Sequence, residues 1–206
     1  TADGTVAGPY DTYWHFASMA VSVNVNWERR ICMYPTFFDK DGLMYSNTSY
    51  GDYPHFAPAV PGKSGGFSGW MLLSYQKPVK ASSMHENFKP EGIVDESAKT
   101  FWIAEKNDDR QWVEIDLVNP GKVYAVQLNY HDYKTGLYGR VPGLYHRYII
   151  EGSVDAKEWI PLVDKRNSYK DAPNDYVELA IPSVVRYIRY KNIHTPTPWL
   201  SISGLR

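Results

Sequence analysis

Only one cysteine, Cys32, occurs in this chain of 206 residues, so no disulfide framework within the chain can hold its fold together. It reads as a small apolar strand residue. An excess of charge of either sign is also missing: 22 Lys and Arg stand against 23 Asp and Glu, a net charge of −1. That balance leaves no cationic surplus to neutralise phosphates, and nucleic acid is excluded as the expected partner. No apolar run approaches the roughly 20 residues that span a bilayer as a helix, and the opening TADGTVAGPYD lacks the basic and apolar regions of an export signal. Grouped His and Cys of the kind that hold transition metals are absent. Helical periodicity is nearly absent too. Rings are abundant: 17 Tyr, 7 Trp and 7 Phe make up 15% of the chain, a composition suited to strands and to faces that stack on flat ligands. With 43% apolar and 22% charged residues, the chain lies in the range that folds.

Short β-branched and aromatic runs bounded by Gly, Pro, Asn and Asp predict an all-β fold. Strands are expected over 12–23, 30–38 and 43–46, the last two joined by Asp39-Lys40-Asp41-Gly42, where glycine supplies a positive φ. Residues 59–69, AVPGKSGGFSG, read as a linker. Strands resume after Trp70, over 113–117, 123–130, 145–153, 159–163, 176–180 and 187–193, enough for one β-sandwich. The segment 1–58 is a small antiparallel meander with little interior of its own, like one blade of a propeller. It is expected to belong to something larger. The closing LSISGLR alternates apolar and polar like a strand and stops in mid-pattern, which reads as a cut chain.

Six motifs in order, KPVKASS (77–83), IVDESAKTFWIA (93–104), QWVEIDL (111–117), YIIEGSVDAKEW (148–159), RYIRY (186–190) and LSISGLR (200–206), resemble the coagulation factor 5/8 type C, or discoidin, family. The resemblance implies a jelly-roll-like β-sandwich over 70–206. Many bacterial members are carbohydrate-binding modules of family 32 attached to glycoside hydrolases. Residues 13–58, with ERRICMYPTFFDKDG followed by GDYPH, resemble the final blade of a five-bladed family 43 glycoside hydrolase. The acid, base and orienting carboxylates that hydrolysis requires belong to earlier blades in that family, so this chain alone is not expected to catalyse anything. His15, Arg29 and Arg30 are the residues the blade would lend to the parent active site.

The resemblance also places a structural Ca²⁺ near Asp95, Ser97 and Thr100, where hard oxygen donors stand at short spacing. The competing reading is a turn in which Asp95 bonds its own backbone. Glu96-Ser97-Ala98 departs from the Gly-Asn or Gly-Asp usual there.

Sugar contacts in the family come from loops at one end of the sandwich. Here His131, Tyr133, Tyr138, Arg140, His146 and Arg147 share a long glycine-punctuated segment, and His194 and Trp199 stand in the proline-rich NIHTPTPWLS. Glu86, Asn87 and Phe88 complete the rim. Tyr145 and Tyr148 enter the next strand and read as core, as does Trp102. The triplet Asn47-Thr48-Ser49 matches a glycosylation sequon and carries no weight in a bacterial chain. The expectation is a non-catalytic module that holds its parent enzyme on a plant-type polysaccharide, outside the cytoplasm, with the rest of the propeller as partner and no membrane insertion. The alternative is a sandwich that packs on the propeller and stabilises it without binding sugar.

Overall fold

The computed structural model describes residues 13–20, 29–38, 40–46, 71–97, 99–136 and 141–206. The chain divides into two compact units, the first ending at Met71 and the second containing Leu72–Arg206. The linker expected over 59–69 lies outside the described residues, as does the sequon.

In the first unit, β1 (Tyr13–Ala20), β2 (Arg29–Phe38) and β3 (Met44–Ser46) form an antiparallel sheet in the order β1-β2-β3. The register runs from Tyr13 opposite Thr36 to Ala20 opposite Arg29. Gly42 in the β2–β3 turn has φ +80°, a conformation that costs a residue with a Cβ but not glycine.

The second unit is a β-sandwich built from β4 (Val79–Ala81), β5 (Trp102–Ile103), β6 (Trp112–Tyr130), β7 (Arg147–Ser153), β8 (Ile160–Asp164), β9 (Asn174–His194) and β10 (Ser201–Leu205). A 3₁₀ turn, Pro90–Ile93, precedes β5. The segments 113–117 and 123–130, read separately in the sequence, are one strand, and 176–180 and 187–193 are another. Val118-Asn119-Pro120 looks like a break because proline brings no N–H to the ladder. The chain passes through it by a register shift between Asp116 and Gly121, with Val118 at φ +72°.

That bend lets two strands serve two sheets. The first half of β6 pairs with β4 and with the end of β9, which pairs with β7 and through it β8. The second half of β6 pairs with the start of β9 and with β10, which carries β5. The facing sheets enclose Trp102, Ile115, Leu128, Tyr148, Tyr190 and Ile202, all 0–1% exposed. Each fully buried aliphatic chain among them contributes roughly 1.5–3 kcal/mol. The core tyrosines keep their hydroxyls paired: Tyr130 and Tyr190 oxygens are 3.0 Å apart, Tyr190 donates to Asn192 Oδ1 at 2.9 Å, and Tyr148 donates to Asp175 Oδ2 at 2.7 Å. Burial pushes the Tyr130, Tyr148 and Tyr190 hydroxyls well up from their ordinary values.

Alternation along β6 sends Val113, Ile115 and Leu117 inward and Trp112, Glu114 and Asp116 outward. Glu114 is nevertheless only 8% exposed. Arg189, directly opposite in the register, bonds it at 2.6 Å while its guanidinium lies 3.7 Å from the Trp159 ring and 5.3 Å from Trp112. Two aromatic rings and an arginine thus roof an outward carboxylate.

Candidate functional site

Because β6 doubles back at Asp116–Gly121, its two ends, Trp112 and Tyr130, lie at the same end of the sandwich. There the segments 82–101, 131–136 and 195–200 converge. His131 is held by its backbone to Ser201, through His131 N–H to Ser201 O at 2.9 Å and Ser201 Oγ to His131 O at 2.5 Å. His85 N–H donates to Ile103 O at 2.9 Å, and Asn107 Nδ2 donates to Thr197 O at 2.6 Å. These bonds fix the three segments to rigid strands and to the neighbouring Asn107.

The side chains they carry form one array of rings. Phe101 and His131 stack with centroids 3.7 Å and planes 9° apart, Phe88 stacks on Phe101 at 5.0 Å, and Tyr133 meets Phe88 at 5.0 Å. Trp199 stands edge-on to Tyr133 at 6.1 Å and packs on His85 at 4.3 Å. His131 is buried, while His85, Phe88, Phe101, Tyr133 and Trp199 are half-buried and so present part of each ring to solvent. Two charges flank the array. Lys134 Nζ lies 4.9 Å from the Tyr133 ring, and Glu86 Oε1 lies 3.6 Å from His85 Nε2. The ammonium of Lys134 is favoured first by its bond to the Tyr133 hydroxyl and further by the Glu86 carboxylate. Burial pushes the His131 imidazole down to about 4, and its Nδ1 has no hydrogen-bond partner among the described residues. The floor of the array, the stacked Phe101 and His131 rings, is therefore uncharged at neutral pH, with Lys134 and Glu86 at the array's edge. Chemically this suits a ligand with an apolar flat face and polar edges.

Of the sequence-predicted residues, His131, Tyr133 and Trp199 come together here, joined by Phe88 and Glu86 of the rim. His85, Phe101 and Lys134 were not foreseen. Phe101 could have been: it neighbours Trp102, whose side chain is wholly buried, and strand alternation sends the preceding residue the other way. His194 and His146 lie elsewhere on this end. His194 stacks on Tyr145 at 4.2 Å, and burial followed by the Arg147 charge lowers its basicity. His146 is buried against Tyr130 at 4.5 Å, its Nδ1 accepting the Ala172 N–H at 3.1 Å. Burial, then the His194 charge, pushes it down to about 4, so its 3.4 Å approach to Asp171 is not an ion pair at neutral pH. Tyr148 is core, but Tyr145 precedes the start of β7 and is half-buried. Tyr138 and Arg140 lie outside the described residues, as do the side chains of His15, Arg29 and Arg30.

The Asp95 loop closes on itself. Asp95 Oδ1 accepts Ser97 N–H at 2.9 Å, Oδ2 accepts the Thr100 hydroxyl at 2.7 Å, and that hydroxyl lies 3.1 Å from Ser97 O. Glu96, at φ +61°, turns instead to Arg206, whose Nε donates to it at 2.7 Å. The oxygens around Asp95 suit Ca²⁺ in kind; one carboxylate, one hydroxyl and one carbonyl make about half of the 6–8 oxygens the ion takes.

A sandwich of this topology, with three segments meeting at one end, is matched along most of its length by the family model for the F5/8 type C domain, which covers residues 78–205. The chain belongs to the F5/8 type C domain family. Solved structures share the fold of this F5/8 type C domain. Chitosan-binding module 1 from a Paenibacillus sp. IK-5 chitosanase/glucanase aligns with a TM-score of 0.54 and 21% identity over 66% of this chain and 97% of that one. Module 2 of the same enzyme, solved in complex with chitotriose, gives 0.55 and 20% over 66% and 98%. A family 32 module from Clostridium perfringens, in complex with GlcNAc-α-1,4-galactose, gives 0.53 and 12% over 67% and 93%. Among curated proteins nothing matches the chain.

Proposed function

We propose that Leu72–Arg206 is a non-catalytic carbohydrate-binding module whose ligand rests on the ring array of His85, Phe88, Phe101, His131, Tyr133 and Trp199. The observation that carries this reading is that array itself: six rings from three segments of the chain, five of them half-buried and so partly open to solvent, fixed to strand ends by backbone bonds. One face of a pyranose is lined by C–H bonds and packs on such rings, while its edge hydroxyls reach Glu86 and Lys134. Support comes from the shared fold with modules solved in complex with chitotriose and with GlcNAc-α-1,4-galactose. The sequence resemblance of residues 13–58 supports a parent of glycoside hydrolase family 43 type, an exported enzyme whose remaining propeller is this chain's partner and whose substrate is a plant-type polysaccharide. A glycan array probed with the full chain tests the reading. Binding to at least one class among arabinan, xylan, galactan and chitin-type oligosaccharides is expected; binding to none of them overturns it and favours the sandwich as a packing partner of the propeller.

Calcium at Asp95, Ser97 and Thr100 is a second proposal, motivated by the convergence of their oxygens. Titration calorimetry with CaCl₂ on EDTA-treated protein is expected to show one site that Asp95→Ala removes. Absence of heat in the unaltered chain contradicts it.

A further inference from the structure

Six arginines of the sandwich have described side chains, and Arg110, Arg166, Arg186, Arg189 and Arg206 each bond a carboxylate. Arg147 does not. Its guanidinium carbon lies 4.6 Å from the Tyr145 ring and 4.5 Å from the Tyr169 ring, and those two rings are 5.8 Å apart. The three groups form a closed triangle, extended by His194 stacked on Tyr145. Arg147 Nε donates to Ser168 O at 3.0 Å, which leaves the terminal nitrogens for an outside acceptor.

Tyr169 is 77% exposed, an uncommon state for a large ring, yet it sits on a braced loop. Ser168 N–H bonds Lys165 O at 3.0 Å, His146 N–H bonds Lys170 O at 3.0 Å, and Tyr130 N–H bonds Pro173 O at 2.8 Å. A ring held out to solvent by a fixed backbone loses little freedom on binding, which makes it a ready platform. The exposed Lys170 beside it adds a second positive charge. Burial, then the Arg147 charge, lowers the basicity of His194, whose imidazole adds hydrogen-bonding capacity at the edge.

We propose that Arg147, Tyr169 and Tyr145, with Lys170 and His194 at the edge, form a second saccharide site that takes a carboxylated sugar residue, a uronic acid. The sugar ring lies on Tyr169 and its carboxylate accepts from the Arg147 guanidinium. Neither half suffices alone: a free anion has no face for Tyr169, and a neutral sugar leaves the guanidinium unpaired. The proposal rests on the carbohydrate-binding reading, but it uses residues separate from the Tyr133–Trp199 array.

Titration calorimetry of the full chain with tri-galacturonate, with its neutral counterpart tri-galactose, and with inorganic phosphate tests it. Tri-galacturonate is expected to bind at least about tenfold more tightly than phosphate, and Arg147→Gln and Tyr169→Ala are each expected to weaken it by about tenfold or more. Tyr169→Ala removes an exposed ring and leaves the Arg147–Ser168 bond in place, so it reads the site even if Arg147→Gln loosens the loop. Unchanged tri-galacturonate affinity in Tyr169→Ala overturns the proposal, as does phosphate binding as tightly as the sugar. If Tyr133→Ala abolishes neutral-sugar binding while both uronate variants behave as the unaltered chain, this inference fails and the primary reading stands. If no sugar binds at all, both fail.

Discussion

The His131 imidazole lies flat on the Phe101 ring, centroids 3.7 Å and planes 9° apart, with its Nδ1 buried and without a hydrogen-bond partner among the described residues. Contact this close in an apolar setting is compatible with a neutral ring and costly for a charged one. His146, on the same end, is likewise held at about 4 by burial. Both folded values lie below the ordinary 6.5, so above pH 6.5 neither state binds the proton and the full stability is present. As pH falls from 6.5 toward 4 the unfolded chain takes up protons that the folded chain refuses, and stability drops by on the order of 3 kcal/mol for each histidine. Urea unfolding between pH 7 and 4 is expected to show this loss, and His131→Gln to remove about half of it. A flat profile over that window contradicts the assignment.

Gly92 supports the floor from below. A Cβ there would come within 2.8 Å of the Phe101 backbone nitrogen, so Gly92→Ala must push Phe101 and its ring out of place. The expected result is a loss of about 1–3 kcal/mol of stability, together with weaker sugar binding. Trp102→Ala, by contrast, removes a wholly buried ring whose Nε1 bonds Ser83 O at 2.8 Å and is expected to cost about 3–5 kcal/mol or prevent folding. Thermal melts alongside sugar titration separate the two: Gly92→Ala with unaltered affinity sinks the claim that Phe101 is part of the floor.

The chain of hydroxyls from Tyr130 through Tyr190 to Asn192 crosses the core from one sheet to the other. Tyr190→Phe strips Asn192, 1% exposed, of its donor and leaves the Tyr130 hydroxyl without its acceptor. A loss of about 1–3 kcal/mol is expected by chemical denaturation. A change below half of that lower bound says that the network is replaceable by water.

Glu96 occupies a left-handed position, φ +61°, where the family usually places glycine, and its bond to Arg206 compensates for the strain. Both Glu96→Gly and Glu96→Ala lose that bond, but only glycine relieves the backbone. The glycine variant is therefore expected to be more stable than the alanine variant by about 1 kcal/mol. Equal stabilities contradict strain at this residue.

Strand content was readable because alternation on β6 and the ring-rich runs around Trp102, Tyr148 and Tyr190 reflect real burial. Continuity was not: Pro120 and Pro182 interrupt the ladders of β6 and β9 locally, and only the register shifts show that the chain bends there without ending the strand. At the site, His131, Tyr133 and Trp199 were legible as polar-tipped rings in loops. His85 and Phe101 were not, since their role depends on which distant loops meet, and nothing local to SSMHENF or KTFW states that. Arg147 shows the same limit. Its position at the start of a strand was visible, but that no described carboxylate pairs with it is a property of the fold.

Sugar titration of the unaltered chain beside a Tyr133→Ala/Trp199→Ala double variant, followed by calorimetry and checked for intact melting, tests the central claim most directly. Both rings are half-buried at the rim and outside the sandwich core. The account predicts a melting temperature within a few degrees of the unaltered chain and a loss of neutral-sugar affinity of at least about tenfold, in line with removing aromatic contacts worth more than about 1.4 kcal/mol. Retained affinity in a folded double variant would contradict it.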